Sequence, residues 1–185
     1  MKRKSLFAIF FLTLLFVCAG MACAKTSVSS QRQKLIDYSM KLRGCPYKYG
    51  GRTKAGFDCS GFVSYAVKEA LGIKLTPQTS QMYVNMTHIK ESEREPGDLM
   101  FFAVKGNDGI LRINHVSIYL GVYNGSGKFH GKRLMIHAAS DGPQTGVIVS
   151  SIDERYWKNH FYGYARFLPA TKESKAGKET KAASN

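Results

Sequence analysis

Acidic residues are scarce in this sequence. Aspartate and glutamate number 13 against 27 lysines and arginines, a formal net charge of +14 at pH 7. Such an excess suits a polyanionic surface: nucleic acid, anionic lipid or an acidic cell-wall polymer. The cations are scattered rather than blocked, so charge alone does not choose among these. No apolar run reaches the roughly 18–20 residues of a membrane span. No Cys-x-x-Cys or His-x-x-x-His pair occurs, which removes the close ligand spacing of structural zinc sites. There is no internal repeat, and 185 residues are too few for two sizeable domains. What is present is a globular composition, 44% hydrophobic and 12% aromatic, which excludes disorder for the middle of the chain.

The first residues set the compartment. Lys2-Arg3-Lys4 is a basic start, Leu6 to Val17 an apolar stretch, and Ala19, Gly20, Ala22 and Ala24 the small residues that follow. This is the pattern of a secretory signal peptide over residues 1–24. Ala22-Cys23-Ala24 fits a cut before Lys25, and Gly20-Met21-Ala22-Cys23 resembles a lipoprotein box that would lipidate Cys23. Either cut sends the mature chain out of the cytoplasm. Cys45 and Cys59 then remain in the mature domain, where an exported pair would by default form a disulfide.

Residues 25–30 read as a linker, 31–169 as one domain and 170–185 as a Lys/Ala/Ser/Glu-rich disordered tail. Only the linker precedes the first helix, which leaves no room for a separate wall-binding domain. Helices are expected over 31–43, over Cys59 to Leu71 with Gly72 as its stop, and from Thr76-Pro77 to about Asn85. Tyr47 to Gly56 reads as a loop. The second half reads as strands at Asp98–Val104, His115–Tyr123, Arg133–Ala139, Val147–Ser150 and Gly163–Leu168, with a helical turn at Asp153–Lys158. Helices followed by a meander of about five antiparallel strands give an α+β layout.

Cys59 falls where loop passes into helix. Unpaired amides and the helix dipole favour thiolate there, so its pKa is expected below the free value of about 8.5. The alternative for a lone cysteine is a small buried apolar residue. His115 begins one strand and His137 ends the next, with Ser126 midway between them. A symmetrical hairpin would set the two imidazoles directly opposite on one face, with Cβ atoms about 4.5–5.5 Å apart. Cysteine, then histidine, then a polar orienter is the papain-type order of roles. A metal site from Cys59, His115 and His137 is the rival, weakened by the missing ligand pair. His88, His130 and His160 have no evident partner.

Three blocks carry a family resemblance: Asp58-Cys59-Ser60-Gly61-Phe62-Val63, Pro96-Gly97-Asp98-Leu99-Met100-Phe101-Phe102, and Asn114-His115-Val116-Ser117-Ile118-Tyr119-Leu120-Gly121. They resemble the signature blocks of the NlpC family, cell-wall cysteine peptidases with a papain-like core. Pro46-Tyr47-Lys48-Tyr49-Gly50-Gly51 and Ile136-His137-Ala138 resemble the flanking blocks. The likeness spans roughly residues 31–168. It implies cleavage of peptidoglycan stem peptides between γ-D-glutamate and a diamino acid, without cofactor or metal. Cys59 would be the nucleophile, His115 the base and His137 its orienter. Tyr47 would line the site and help bind the oxyanion, and Asp58 and Ser60 would contact the free amine of L-Ala-γ-D-Glu. Asp58 also reads as a helix cap. Thr79-Ser80 resembles the end of the family's Pro-Arg-Thr-Ser block, so Ser80 is a substrate-contact candidate, although Gln78 replaces the frequent arginine. The 22 residues from His115 to His137 exceed the family's usual gap, which a long hairpin tip at about Tyr123–Arg133 would explain.

The resemblance implies peptidoglycan or muropeptides as partner, no nucleic acid, a monomer, and an envelope location with membrane attachment only through a lipidated Cys23. Cys45 is expected as a free thiol, because a bridge to Cys59 would consume the nucleophile. The competing readings are an amidase or acyltransferase using the same three residues, and a non-catalytic wall-binding module.

Overall fold

Asp58 starts the helix on which the candidate site is built. Its Oδ1 accepts the Gly61 amide at 2.6 Å, capping α2 (Cys59–Leu71). Gly72, at φ 72°, ends α2 with its amide on the Lys68 carbonyl. Between these stops Phe62, Val63, Ala66 and Val67 recur at helical spacing and are fully buried. A Cβ on Gly61 would lie 2.0 Å from the Gly51 carbonyl oxygen, so only glycine lets the preceding loop cross the helix start.

The structure, a computed structural model, describes residues 29–169. The expected signal peptide, the linker before residue 29, Cys23 and the tail 170–185 lie outside the described residues. Arg32–Leu168 forms one unit. In chain order the elements are α1 (29–41), β1 (Arg52–Thr53), β2 (Gly56–Phe57), α2, α3 (Thr79–Val84), β3 (Thr87–Ile89), a 3-10 turn at Glu91–Glu93, β4 (Leu99–Lys105), β5 (Leu111–Val122), β6 (Arg133–Ala139), β7 (Gly146–Ser151), α4 (Arg155–His160) and β8 (Phe161–Arg166). β1 and β2 form a small hairpin. The other six strands form one antiparallel sheet in the order β3-β8-β4-β5-β6-β7. The class is α+β, as expected.

The differences from expectation have local causes. The sixth strand, β3, has three residues, too few to show an alternation, and β1 and β2 have two each. β5 begins at Leu111 rather than His115, because its first residues extend past the covered sheet and lack a buried face. α1 occupies 29–41 rather than 31–43, so residues 29 and 30 are helical rather than linker. Thr76 caps nothing: α3 begins at Thr79, with Gln78 in the cap position and no side-chain cap bond. α4 starts after Asp153, whose carboxylate is engaged by the Arg133 amide and guanidinium at 2.7–3.0 Å.

Both faces of the sheet are covered. Leu99 and Phe101 of β4 pack with Phe57, Phe62, Val116, Ile118 and Ile136 on the α2 side. Their neighbours Met100 and Phe102 pack with Tyr119, Met135, Ile152 and Tyr164 on the other. This two-residue alternation makes β4 a continuous apolar run.

Asp98, fully buried at the entry to β4, ties the sheet to α1 and β8. Arg32 Nη1 donates to its Oδ1 at 3.0 Å, and Arg166 donates through Nε and Nη2 at 2.8 and 2.7 Å. The Glu95 amide completes the shell at 2.7 Å. An Asp98→Asn substitution keeps the shape but leaves two buried guanidinium groups short of a counter-charge. It should cost about 3–5 kcal/mol of unfolding free energy. Urea unfolding of the variant measures this, and a loss under about 1 kcal/mol would contradict the clamp.

Candidate active site

Cys59 is the first residue of α2, half-buried at the floor of a cavity of about 360 Å³ shared with Tyr47, Phe102, His115, Asp141 and Trp157. Its Sγ lies 3.6 Å from the Thr79 hydroxyl and 3.7 Å from the Asn114 carbonyl. The Asn114 contact comes from a bulge. The β4–β5 register passes from Phe102↔His115 to Ala103↔Ile113, so Asn114 is the extra residue in β5. Tyr47 is held at the cavity edge by a bridge to Phe57, two residues before Cys59.

His115 Nε2 is 3.0 Å from His137 Nδ1, and His137 Nε2 is 2.9 Å from Ser150 Oγ. The histidines meet on one face, yet they are not directly opposed. Ile118 pairs with Ile136, so His137 is level with Ser117 and His115 is its diagonal neighbour. Two displacements produce this offset. The strands close between Val122 and Arg133, which moves the loop centre past Gly127, rather than Ser126, and adds three residues of offset. A second bulge, at Leu120, recovers one, because Tyr119↔Met135 is followed by Gly121↔Leu134. The remaining offset is even, so both side chains share a face. Without the bulge it would be odd, and they would point to opposite faces.

Aromatic rings enclose the pair. Trp157, on α4, has its ring centroid 4.9 Å from that of His115 and 4.7 Å from that of His137, and Phe102 is 5.8 Å from His115. Burial therefore holds His115 down to about 4 and His137 well below its ordinary value, with the charge of His115 adding to the latter. Burial also pushes the Cys59 thiol up. It outweighs the Thr79 hydroxyl and the backbone bonds at Val116 and Ser60, which pull it down. The helix-start argument for a lowered thiol pKa is thus overturned by desolvation. A neutral thiol sharing a cavity with a neutral imidazole can transfer a proton, attack a carbonyl and return the proton to a leaving group.

The remaining candidates fall into place unevenly. Asp58 Oδ1 is used by the Gly61 amide and the Ser60 hydroxyl at 2.6 and 3.0 Å, so the cap reading describes it. Ser60 is buried and lies 3.2 Å from the Pro77 carbonyl, joining α2 to the loop before α3. Ser80 is half-buried and lines neither Cys59 nor the cavity around it. Thr79, one residue earlier, makes the sulfur contact instead. Ser150 and Trp157 were missed as well. Trp157 is the only tryptophan in the chain, but nothing local in the sequence ties it to either histidine. Cys45 and Cys59 are free thiols, as expected.

A thiol raised by burial, beside an imidazole that stays neutral above about pH 4, has no imidazolium to hold it as thiolate between pH 5 and 8. Alkylation of Cys59 by iodoacetamide should therefore climb with pH through and beyond 8.5, the ordinary range of a free thiol. Thr79→Val should move the climb further up by removing a bond to the thiolate. Mass-resolved alkylation rates from pH 5 to 10 test both, and a plateau reached below pH 7 would show an ion pair instead.

Known proteins resemble this chain in sequence and in fold. The NlpC/P60 family matches residues 44–166. Murein DD-endopeptidase MepH of Escherichia coli K12 is 32% identical over 149 residues, covering 78% of this chain and 49% of that protein. Gamma-DL-glutamyl hydrolase of Bacillus subtilis 168 is 32% identical over 152 residues, covering 82% of this chain and 31% of its own length. The chain thus spans about half, or less, of these relatives. A crystal structure of a Staphylococcus aureus protein described as similar to lipoprotein, NLP/P60 family, superposes with a TM-score of 0.58 at 30% identity, over 76% of this chain and 42% of that one. The α+β architecture is the papain-like fold of these proteins, and the chain belongs to the NlpC/P60 family.

Proposed function

We propose that the chain is an exported cysteine peptidase that hydrolyses peptidoglycan stem peptides between γ-D-glutamate and the diamino acid. The observation that carries this reading is the bonded series from His115 through His137 to Ser150, with Cys59 in the same cavity as His115. Neutral His115 donates from Nε2 to His137 Nδ1, and His137 donates from Nε2 to the Ser150 oxygen. This leaves the His115 Nδ1 lone pair for the thiol proton.

His115 takes that proton as Cys59 Sγ attacks the γ-carbonyl carbon. The Cys59 amide, at the open end of α2, and the Tyr47 hydroxyl stabilise the oxyanion. The proton passes to the leaving amine as the C–N bond breaks and the thioester forms. Water, deprotonated by His115, then releases the acid and restores the thiol. Asp58 has its second carboxylate oxygen for the ammonium end of L-Ala-γ-D-Glu. Residues 1–24 support export and Cys23 a lipid anchor. Among the described residues no helix is long and apolar enough to cross a membrane. The name of MepH favours a second reading, cleavage of the D,D bond of a crosslink.

Mass spectrometry of digested muropeptides separates the two readings. Products ending in γ-D-glutamate support the first, and split crosslinks with intact stems support the second. Cys59→Ser should abolish turnover while keeping the fold, and activity above a few per cent would refute the nucleophile. His115→Gln should lose at least about a hundredfold in kcat/KM, the ordinary contribution of a general base. His137→Gln, which still offers an acceptor to His115, should stay within about tenfold of wild type on the same scale. Equal losses at the two positions would reject this division of labour.

A further inference from the structure

Past Trp157 the Cys59 cavity meets a larger one, of about 630 Å³, and the two share Ala139, Asp141, Tyr156 and Trp157. Its walls are the β5–β6 loop with Lys128 and Phe129, the β6–β7 loop with Asp141 and Pro143, and α4 with its preceding Glu154. The long hairpin between His115 and His137 thus becomes one wall of a groove. Neither Cys59 nor Asp58 nor Ser60 lines it, whereas Trp157, which packs on the His115 ring, does. The group that protonates a leaving amine must stand on the leaving side of the attacked carbon. A cavity reached past Trp157, on the side where that ring packs on His115, therefore receives the fragment that departs.

We infer that this larger cavity is a subsite for a zwitterionic leaving peptide of two or more residues, bearing an ammonium and a carboxylate. The inference rests on the proposed peptidase reading and adds what the enzyme recognises beyond the cleaved bond. The volume lies in the range of sites that hold ligands larger than one residue. The charges are bipolar. Asp141 and Glu154 offer carboxylates to an ammonium, and Lys128, whose ammonium lies 4.9 Å from the Phe129 ring centroid, offers a cation to a carboxylate. A fragment that begins with a diamino acid and ends in D-alanine carries both groups.

The test compares the tetrapeptide L-Ala-γ-D-Glu-diamino acid-D-Ala with its C-terminal amide, in the L-lysine and meso-diaminopimelate forms. Wild type should favour the free acid by about fivefold in kcat/KM, the size of one charge pair at a partly open rim. Lys128→Ala should erase that preference and Lys128→Glu invert it. Acetylating the side-chain amine should slow wild type by a similar factor, and Asp141→Asn should remove that dependence. Ratios that are equal in wild type and variants would overturn the subsite while leaving the peptidase reading intact. If wild type cleaves no stem peptide, the peptidase reading falls, and calorimetry on Cys59→Ser protein decides the subsite separately. Binding of L-lysyl-D-alanine or diaminopimelyl-D-alanine that Lys128→Glu weakens supports it, and no binding, or equal binding, refutes it.

Discussion

A fully buried imidazole packed against a half-buried one leaves no room for two charges, and most of the site follows from that constraint. Desolvation penalises each imidazolium, and proximity penalises the second. The neutral pair must then be satisfied entirely by hydrogen bonds. Each ring has one donor and one acceptor, so the series from His115 to His137 to Ser150 admits one direction when His115 serves as base. Ser150 is therefore more than a neighbour of His137. In that direction its Oγ accepts the hydrogen bond from His137 Nε2–H, which fixes the His137 tautomer and in turn that of His115. Trp157 and Phe102 supply the dry walls that make the constraint strict.

The backbone meets this constraint through irregularities rather than through ideal strands. The bulge at Leu120, with Gly121 at φ 100°, changes an odd offset between β5 and β6 into an even one. It thereby brings His137 to the face of His115. The bulge at Asn114, also on β5, turns a carbonyl toward Cys59 at the start of α2. Both flank the buried stretch of β5, where the register is otherwise pinned by Val116 and Ile118 in the core. Removing either bulge would shift chemistry-bearing atoms by a whole face, a larger effect than most side-chain substitutions can produce.

Much of this was legible in the sequence. α2 could be read from start to stop, because Asp58, the apolar spacing and Gly72 all speak for the same helix. The meeting of His115 and His137 could be read from hairpin symmetry, although the symmetry argument gave direct opposition and the molecule uses a diagonal. A bulge leaves no composition signal, so the correct register was out of reach. Thr79 and Ser80 show a similar limit: the segment could be placed near Cys59, but which hydroxyl faces it depends on a helix that starts two residues later than a cap at Thr76 suggested. The Cys59 thiol was misjudged because a helix terminus is a local feature and desolvation is not. His115 and Trp157 come from elements far along the chain.

The distribution of acids completes the argument. Of the few carboxylates, Asp98 is neutralised by Arg32 and Arg166, and Asp153 by Arg133. Neither ion pair reaches the histidines. The first fixes β4 and hence Phe102, and the second fixes the chain ahead of α4 and hence Trp157, so these charges act through the walls of the box. A carboxylate in place of His137 would raise His115 and favour a standing ion pair with Cys59. With His137 there, the resting site stores no charge. In the proposed reaction, charge separation arises only when the thiol proton moves, and the leaving amine then carries the proton away. Asp141 and Glu154 line the larger cavity beyond Trp157, the side on which the proposed reaction would release that amine. In the proposed reaction, the negative field that the fold keeps away from the base would thus meet the product ammonium.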